Sequence, residues 1–386
     1  MKKVQYILTL SLLLAIICGC SAEASAKSNI EKAVAQTEVN DSQEQTGVSV
    51  VSDVKQTEAI QTPDVDVNGL VFGHINDAYW WHIVTLGDWH LSIHLPVIVK
   101  GDDGWHVFSS EKLEEDGEYA GFYLAKGGMY DGKLVTKNTN GEEIRPLDLS
   151  VTKNVLGMFI NGLLLVVCVL SCARWYKKHS FEEEAPRGGV GMMESLILMI
   201  YDDLIKECVG PDYRRYAPYL LTAFFFILIN NLMGLVPIFP GGANITGNIA
   251  ITFVLAMCTF IMTNVFGSKT YWKDVFWPDV PVWLKCPVPM MPVIEFFGLF
   301  TKPFALMVRL FANIMAGHAV ILSLFAIIFI TVKLGPAING PMTVISVAFA
   351  MFMTALEVLV AFIQAYVFTM LSAVFIGLSR VNEDEE

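Results

Sequence analysis

Apolar and polar positions divide the chain into two unlike parts. From residue 155 onward long apolar tracts dominate: 155–173, 216–236, 249–266, 293–332 and 342–378. A span of the hydrocarbon layer needs about 20 mostly apolar residues, so each tract is read as a membrane helix. The last two tracts are too long for one upright span, which predicts helices that tilt, bend or run partly along the membrane plane. Lys302-Pro303 is a candidate bend in the first of them. Upstream, short apolar runs at 90–99, 105–109, 119–124 and 133–137 alternate with Gly and Asp turns such as Gly101-Asp102-Asp103-Gly104. That rhythm predicts a small β-rich module.

The first residues form a third pattern. Lys2 and Lys3 precede a short apolar core at 8–17, which predicts an export signal over residues 1–20. Ile17-Cys18-Gly19-Cys20 resembles a lipoprotein cleavage box with Cys20 as the modified residue; ordinary cleavage between 21 and 24 is the other reading. Residues 21–66, rich in Ser, Ala, Glu, Gln, Thr and Val, read as a flexible linker. The expected division is therefore a signal at 1–20, a linker at 21–66, an extracytoplasmic module at 67–154, a membrane domain at 155–380 and an acidic tail at 381–386. The fold class is an all-α integral membrane protein of about five helices, preceded by a small β-containing region.

Composition agrees with this division. Of 386 residues, 54% are hydrophobic and 17% charged, and mean hydropathy is +0.51. A soluble domain has about 25% charged residues. The net charge of −12 lies in the front: residues 21–154 hold ten basic and 22 acidic residues. Such a front gives no reason to expect nucleic acid as a partner. No cysteine falls between 21 and 154, so the module has no disulfide framework. Basic residues fix a predicted orientation. Arg174, Lys177, Lys178, Arg187, Arg214 and Arg215 put the loop between the first two spans in the cytoplasm; Lys269, Lys273 and Lys285 agree, and Arg380 follows the last span. The N-terminus is then outside and the C-terminus inside.

Ionisable groups within apolar tracts are costly and mark function. Here they are Glu295, Lys302, Arg309, His318 and Glu357, with Asn231, Asn313 and Gln364 as neutral polar groups. A guanidinium keeps its charge at any pH a cell meets, so Arg309 needs a carboxylate, a water cavity or both. At about 100° per residue, Asn313 shares its face and His318 lies opposite. Ala305, Ala312 and Ala316 keep its surroundings small enough for another helix to approach closely. Glu357 and Gln364 share a face of the last tract. Antiparallel packing of the two long tracts would set Gln364 near Arg309 and Glu357 near His318. A His/Glu pair can pass protons, because imidazole titrates near neutral pH. His90 and His94 have i, i+4 spacing, but surface or structural roles are the expectation there without a helix, and no cofactor or metal site is expected.

These residues resemble subunit a of the F-type ATP synthase. The likeness rests on Glu295 to His318, with Thr301-Lys302-Pro303 and Arg309-Leu-Phe-Ala-Asn313-Ile-Met-Ala-Gly317. Asn230-Asn231-Leu-Met-Gly-Leu-Val-Pro237, Ala243-Asn244-Ile-Thr246-Gly-Asn248, Leu359-Val-Ala-Phe-Ile-Gln364 and His74-Ile-Asn-Asp-Ala-Tyr-Trp-Trp-His82 add to it. The resemblance implies a proton-translocating stator subunit with two aqueous half-channels and no catalysis of its own. Arg309 would separate the half-channels, His318 and Glu357 would be the acid/imidazole pair in swapped order, and Glu295, Asn313, Asn231 and Gln364 would be further channel positions. His318, Glu357 and Glu295 would line part of the outer half-channel, the half-channel of each polar group being left open by the sequence. Gly234 stands where some members carry an acid. The implied partners are the rotor-ring subunit c with its carboxylate, the peripheral-stalk subunit b, indirectly the catalytic sector, and membrane lipids; the implied place is a bacterial inner membrane. Residues 83–150 look like an insertion without a family role. The competing readings are a secondary transporter in which Arg309 binds an anionic substrate, and an outer-surface lipoprotein whose helices only anchor it. Neither an internal repeat nor a GxxxxGK[ST] phosphate loop is present.

Overall fold

The computed structural model describes residues 77–380 except 87–88, 102, 116, 126–129, 131, 138–141, 180–185, 237–240, 277–289 and 333–334. The expected signal, the linker, Cys20, His74 and the acidic tail lie outside the described residues.

The module begins with the hairpin β1 (Trp80–Leu86) and β2 (Trp89–His94). Next come β3 (Pro96–Gly101), β4 (Gly104–Ser109) and the short α1 (Glu111–Glu115). The small strands β5 (Glu118–Tyr119), β6 (Phe122–Leu124), β7 (Leu134–Lys137), β8 (Glu143–Ile144) and β9 (Leu147–Asp148) complete it. The strands form three antiparallel sheets, ordered β1-β2, β4-β3-β9 and β5-β6-β7-β8. In β3, Val97 and Val99 point into the core and Pro96 and Lys100 face out, the period of two expected of a half-buried strand. Two apolar runs divide further than the sequence reading had them. The run at 90–99 is two strands, because Pro96 has no N–H for a continuing ladder and instead opens β3. The run at 119–124 is a hairpin, with Ala120 and Gly121 both at positive φ in its turn, the backbone a tight two-residue hairpin needs. His90 and His94 fall in β2. The pair therefore lies in a strand and not on a helix, so its i, i+4 spacing is not that of neighbours on one helical face.

Tyr79, Val97, Val99, Phe108, Leu113, Phe122 and Leu134 make the module's core. Tyr79 donates from its hydroxyl to Asp148 Oδ2 at 2.5 Å and accepts the Leu134 N–H. Burial, then the Asp148 carboxylate, hold its phenol well above the usual tyrosine range.

The apolar half begins with α2 (Lys153–Lys178). The stretch between the first two spans, read as a loop, is partly helical. There α3 (Gly189–Leu198) continues through a π-helical stretch (Met199–Ile205) into α4 (Lys206–Val209). Its Ile200, Leu204 and Ile205 are fully buried against Phe224, Ile376 and their neighbours. Then follow α5 (Tyr213–Leu235), α6 (Ile249–Val265), α7 (Lys269–Phe276), α8 (Met290–Thr331) and α9 (Pro336–Leu378). Among the described residues, four helical runs are long and apolar enough to cross a membrane, or up to five if α6 and α7, bent by 100°, count as one span. Large apolar side chains stay exposed along α2 and α9, including Phe159, Leu163, Val344 and Met351, as lipid-facing helices require. Pro303 does not break α8. At about 1.5 Å per residue, α8 and α9 are each about 63 Å long, twice the hydrocarbon thickness of about 30 Å, so tilt must absorb the excess.

Candidate functional site

The site is built on the α8–α9 pair. Three contacts define how these helices run. Thr331 donates to Asn339 Oδ1 at 2.8 Å near the connecting turn, His318 Nδ1 lies 3.4 Å from Glu357 Oε1, and Lys302 Nζ stands 6.0 Å from the centre of the Phe375 ring. The helices are therefore antiparallel over most of their length. The expected pairing of His318 with Glu357 is present. By the same register Gln364, seven residues beyond Glu357, stands level with residue 311, between Arg309 and Asn313. Gln364 is buried, at 7% exposure.

Arg309 and Asn313 lie together on the opposite, exposed side of α8, with Ala305, Ala312 and Ala316 exposed around them. Among the described residues no carboxylate pairs with Arg309. A permanent charge thus sits midway along an apolar helix, on a face lined by small side chains.

Glu357 is 5% exposed, and neither carboxylate oxygen has a hydrogen-bond partner among the described residues. Gly317 makes room for it: a Cβ there would lie 2.8 Å from Glu357 Oε1. The other ring nitrogen of His318 faces Gly234, where a Cβ would lie 3.8 Å from Nε2. Asn231 joins three elements. Its Nδ2 donates to the Ala361 carbonyl of α9 at 3.2 Å, and its Oδ1 accepts from Thr246 Oγ1 at 2.6 Å. Ala361 is one helical turn from Glu357, so Asn231 holds α5 and the 241–248 loop beside the carboxylate.

Glu295 stands apart from the His318/Glu357 pair. Because α8 is continuous through Pro303, Glu295 stands 23 residues from His318, about 35 Å along the axis. Its neighbour is Lys302, at 3.7 Å. Arg309 lies between them, about 21 Å from Glu295 and about 14 Å from His318. One vestibule cannot serve both ends.

Two polar groups were not singled out in the sequence. Asn161, in α2, is buried and donates to Asn230 Oδ1 at 3.0 Å, while Asn230 donates to the Phe226 carbonyl at 2.7 Å. Asn161 is the single amide within residues 155–173, and that rarity was the available signal. A hydroxyl cluster at the other end links Tyr219 to Thr259 at 2.9 Å and Thr259 to Ser372 at 3.1 Å. It joins α5, α6 and α9, and common residues such as these give no warning in sequence.

Residues 155–377 match the family described as ATP synthase A chain, and residues 70–150 match a domain of unknown function, DUF8433. The ATP synthase subunit a of Chloroherpeton thalassium is 43% identical over 250 residues, covering 63% of this chain and 70% of that relative. The subunit of the same name from Chlorobium phaeobacteroides is 40% identical over 286 residues, covering 69% of this chain and 80% of the relative. That of Myxococcus xanthus is 43% identical over 253 residues, covering 62% and 78%.

Proposed function

The chain belongs to the ATP synthase A chain family, and we propose that its described polar groups form the two half-channels of a proton-translocating stator subunit. It is a multi-pass membrane component of the complex, not a catalytic subunit.

A proton arriving from outside reaches His318 and Glu357, whose side chains lie 3.4 Å apart. From there it passes to a carboxylate on a rotor helix of the partner subunit c. The neutral acid can then turn into lipid, where the anion would be far costlier. After nearly a full rotation it meets the second half-channel, on the Glu295 side of Arg309, and releases the proton inwards. Arg309 attracts the ionised carboxylate, favours its deprotonation and bars a direct leak between the two sides. Each charge moved supplies about 2.3 kcal/mol per 100 mV. Asn231 and Gln364 hold the outer pair in place, and Asn313 shares the rotor-facing side with Arg309. Peripheral-stalk subunit b and the catalytic sector complete the partners. The setting is a bacterial inner membrane, as in the bacterial relatives, and the basic residues favour a C-terminus in the cytoplasm.

One observation carries this reading: Arg309 is exposed, unpaired among the described residues, and lies axially between the His318/Glu357 pair and Glu295. Its partner carboxylate is then on another chain. The test is ATP-driven acidification of inverted vesicles, comparing the native chain with Arg309→Ala at equal assembly. Loss of pumping is expected; normal pumping would remove Arg309 from the mechanism.

A further inference from the structure

The β module is fastened to the outward ends of the membrane helices. Trp81, 3% exposed, packs with Ala243 and Ile245 against Leu156 of α2. Lys153 N–H donates to the Ala78 carbonyl at 2.9 Å, and Asn154 N–H to Asp77 Oδ1 at 3.1 Å. Between the module and the ends of α2 and α6 lies a cavity of about 50 Å³. Asp77, Arg145, Asp148, Asn154 and Asn248 give it a polar wall. On this measure about 10–15 Å³ is enough for one water, so the space has room for several waters.

Buried polar atoms without partners continue from this cavity into the membrane domain. Thr152 Oγ1 and Asn154 Oδ1 lack a hydrogen-bond partner at its wall; deeper, so do Asn161 Oδ1, Asn244 Nδ2 and Glu357 Oε2, while Glu357 Oε1 has His318 Nδ1 at 3.4 Å. Such groups normally have a partner, either protein or ordered water. The order is spatial. Asn154, Gly157 and Asn161 descend one face of α2 turn by turn. Asn161 bonds Asn230, beside Asn231, which holds the α9 turn that carries Glu357.

We propose that this cavity is the outer mouth of the proton route, so that protons reach His318 and Glu357 through water passing beneath the β module, by Asn154 and Asn161. Along the water each step moves a proton between oxygens, one O–H bond forming as another breaks; the last step breaks a water O–H and forms an N–H bond on His318 or an O–H bond on Glu357, and no other reactant is needed. The inference rests on the proton-channel reading and gives residues 77–150 a working part in it.

Thr152→Cys, Asn154→Cys and Met158→Cys test it in the assembled complex. Met158 lines the cavity with no side-chain hydrogen bond to lose, so it guards against misfolding of the other two. A small cationic methanethiosulfonate is applied to the outer face of spheroplasts, and ATP-driven acidification is then measured in inverted vesicles made from them. The unmutated chain, with its own thiols at Cys168, Cys172, Cys208 and Cys258, sets the baseline. The expected result is labelling at the new thiols and a several-fold loss of pumping beyond that baseline. Thiols that stay unlabelled, or labelling that leaves pumping intact, would overturn the proposal. An Arg309→Ala arm separates the two ideas. If it is inactive while the labelled variants pump normally, only the route beneath the module fails; if it pumps, the channel reading itself fails.

Discussion

His318 Nδ1 and Glu357 Oε1 face each other at 3.4 Å across two antiparallel helices, inside an apolar tract. A proton relay needs both groups but does not specify which helix carries which. Replacing either alone by leucine removes a titrating partner and leaves the other buried. Each of His318→Leu and Glu357→Leu should cut ATP-driven pumping by at least about tenfold, the low end of what positioned acid–base groups contribute. The exchange His318→Glu with Glu357→His should recover a substantial part of the loss. Vesicle acidification at matched assembly measures all three, and full activity in either leucine variant would remove the pair from the route.

Gly317 is the neighbour that makes this pair possible. A methyl group there would sit 2.8 Å from Glu357 Oε1, closer than real Cβ contacts, and the rest of Glu357 is buried. Gly317→Ala should therefore lower pumping without loss of the subunit from the membrane, since the obstacle meets one side chain only. Gly298 and Gly340, on the same hairpin, have no atom within 4 Å of such a methyl. Their alanine variants should pump normally.

How much of this was legible in the sequence follows from what each residue's signal depends on. Arg309, His318 and Glu357 stand out because a charge within a run of Leu, Ile, Phe and Ala has no cheap explanation. Their pairing also followed, since two long tracts joined by a short turn must run antiparallel. The axial place of Glu295 did not follow, because Pro303 left the continuity of α8 open, and only a continuous helix serves as a ruler. The π-helical stretch around Met199–Ile205 was hidden as well. Asp202, Asp203, Lys206 and Glu207 give it a polar look, while Ile200, Leu204 and Ile205 owe their burial to partners far away in sequence, such as Phe224 and Ile376. The hairpin at Ala120 and Gly121 and the strand break at Pro96 were written in local residues and were read too coarsely.

The module should weaken in alkali through Tyr79. Its phenol is held well above the usual range by burial and by Asp148. The unfolded chain ionises near pH 10, so the stability this group provides is complete below that pH and is lost as pH rises toward the folded-state value. Tyr79→Phe removes the donor to Asp148 and the acceptor of the Leu134 N–H, which should cost about 1–3 kcal/mol. It should also abolish the part of the alkaline loss that Tyr79 causes. Hydrogen exchange of the β3 and β7 amides between pH 8 and 11, corrected for the intrinsic rate, checks both. Equal protection in the native chain and the Tyr79→Phe variant would contradict the role given to the hydroxyl.

Arg380 ties the ends of three helices together at the other face. Its guanidinium pairs with Asp212, just before α5, and Nη1 donates to the Phe266 carbonyl beyond α6 at 3.1 Å, while Ser268 N–H donates to the Ser379 carbonyl at 2.8 Å. The ion pair is partly exposed, so screening limits it to about 1 kcal/mol or less; the carbonyl contact adds to that. Arg380→Met loses both and should lower the thermal midpoint of the detergent-solubilised subunit more than Asp212→Asn, which keeps an acceptor for the guanidinium. Salt should narrow the gap between the native chain and Asp212→Asn, because only the charge part is screened. It should leave most of the Arg380→Met loss in place. If the two variants melt together at every salt concentration, the Phe266 contact contributes nothing and the tie is the ion pair alone.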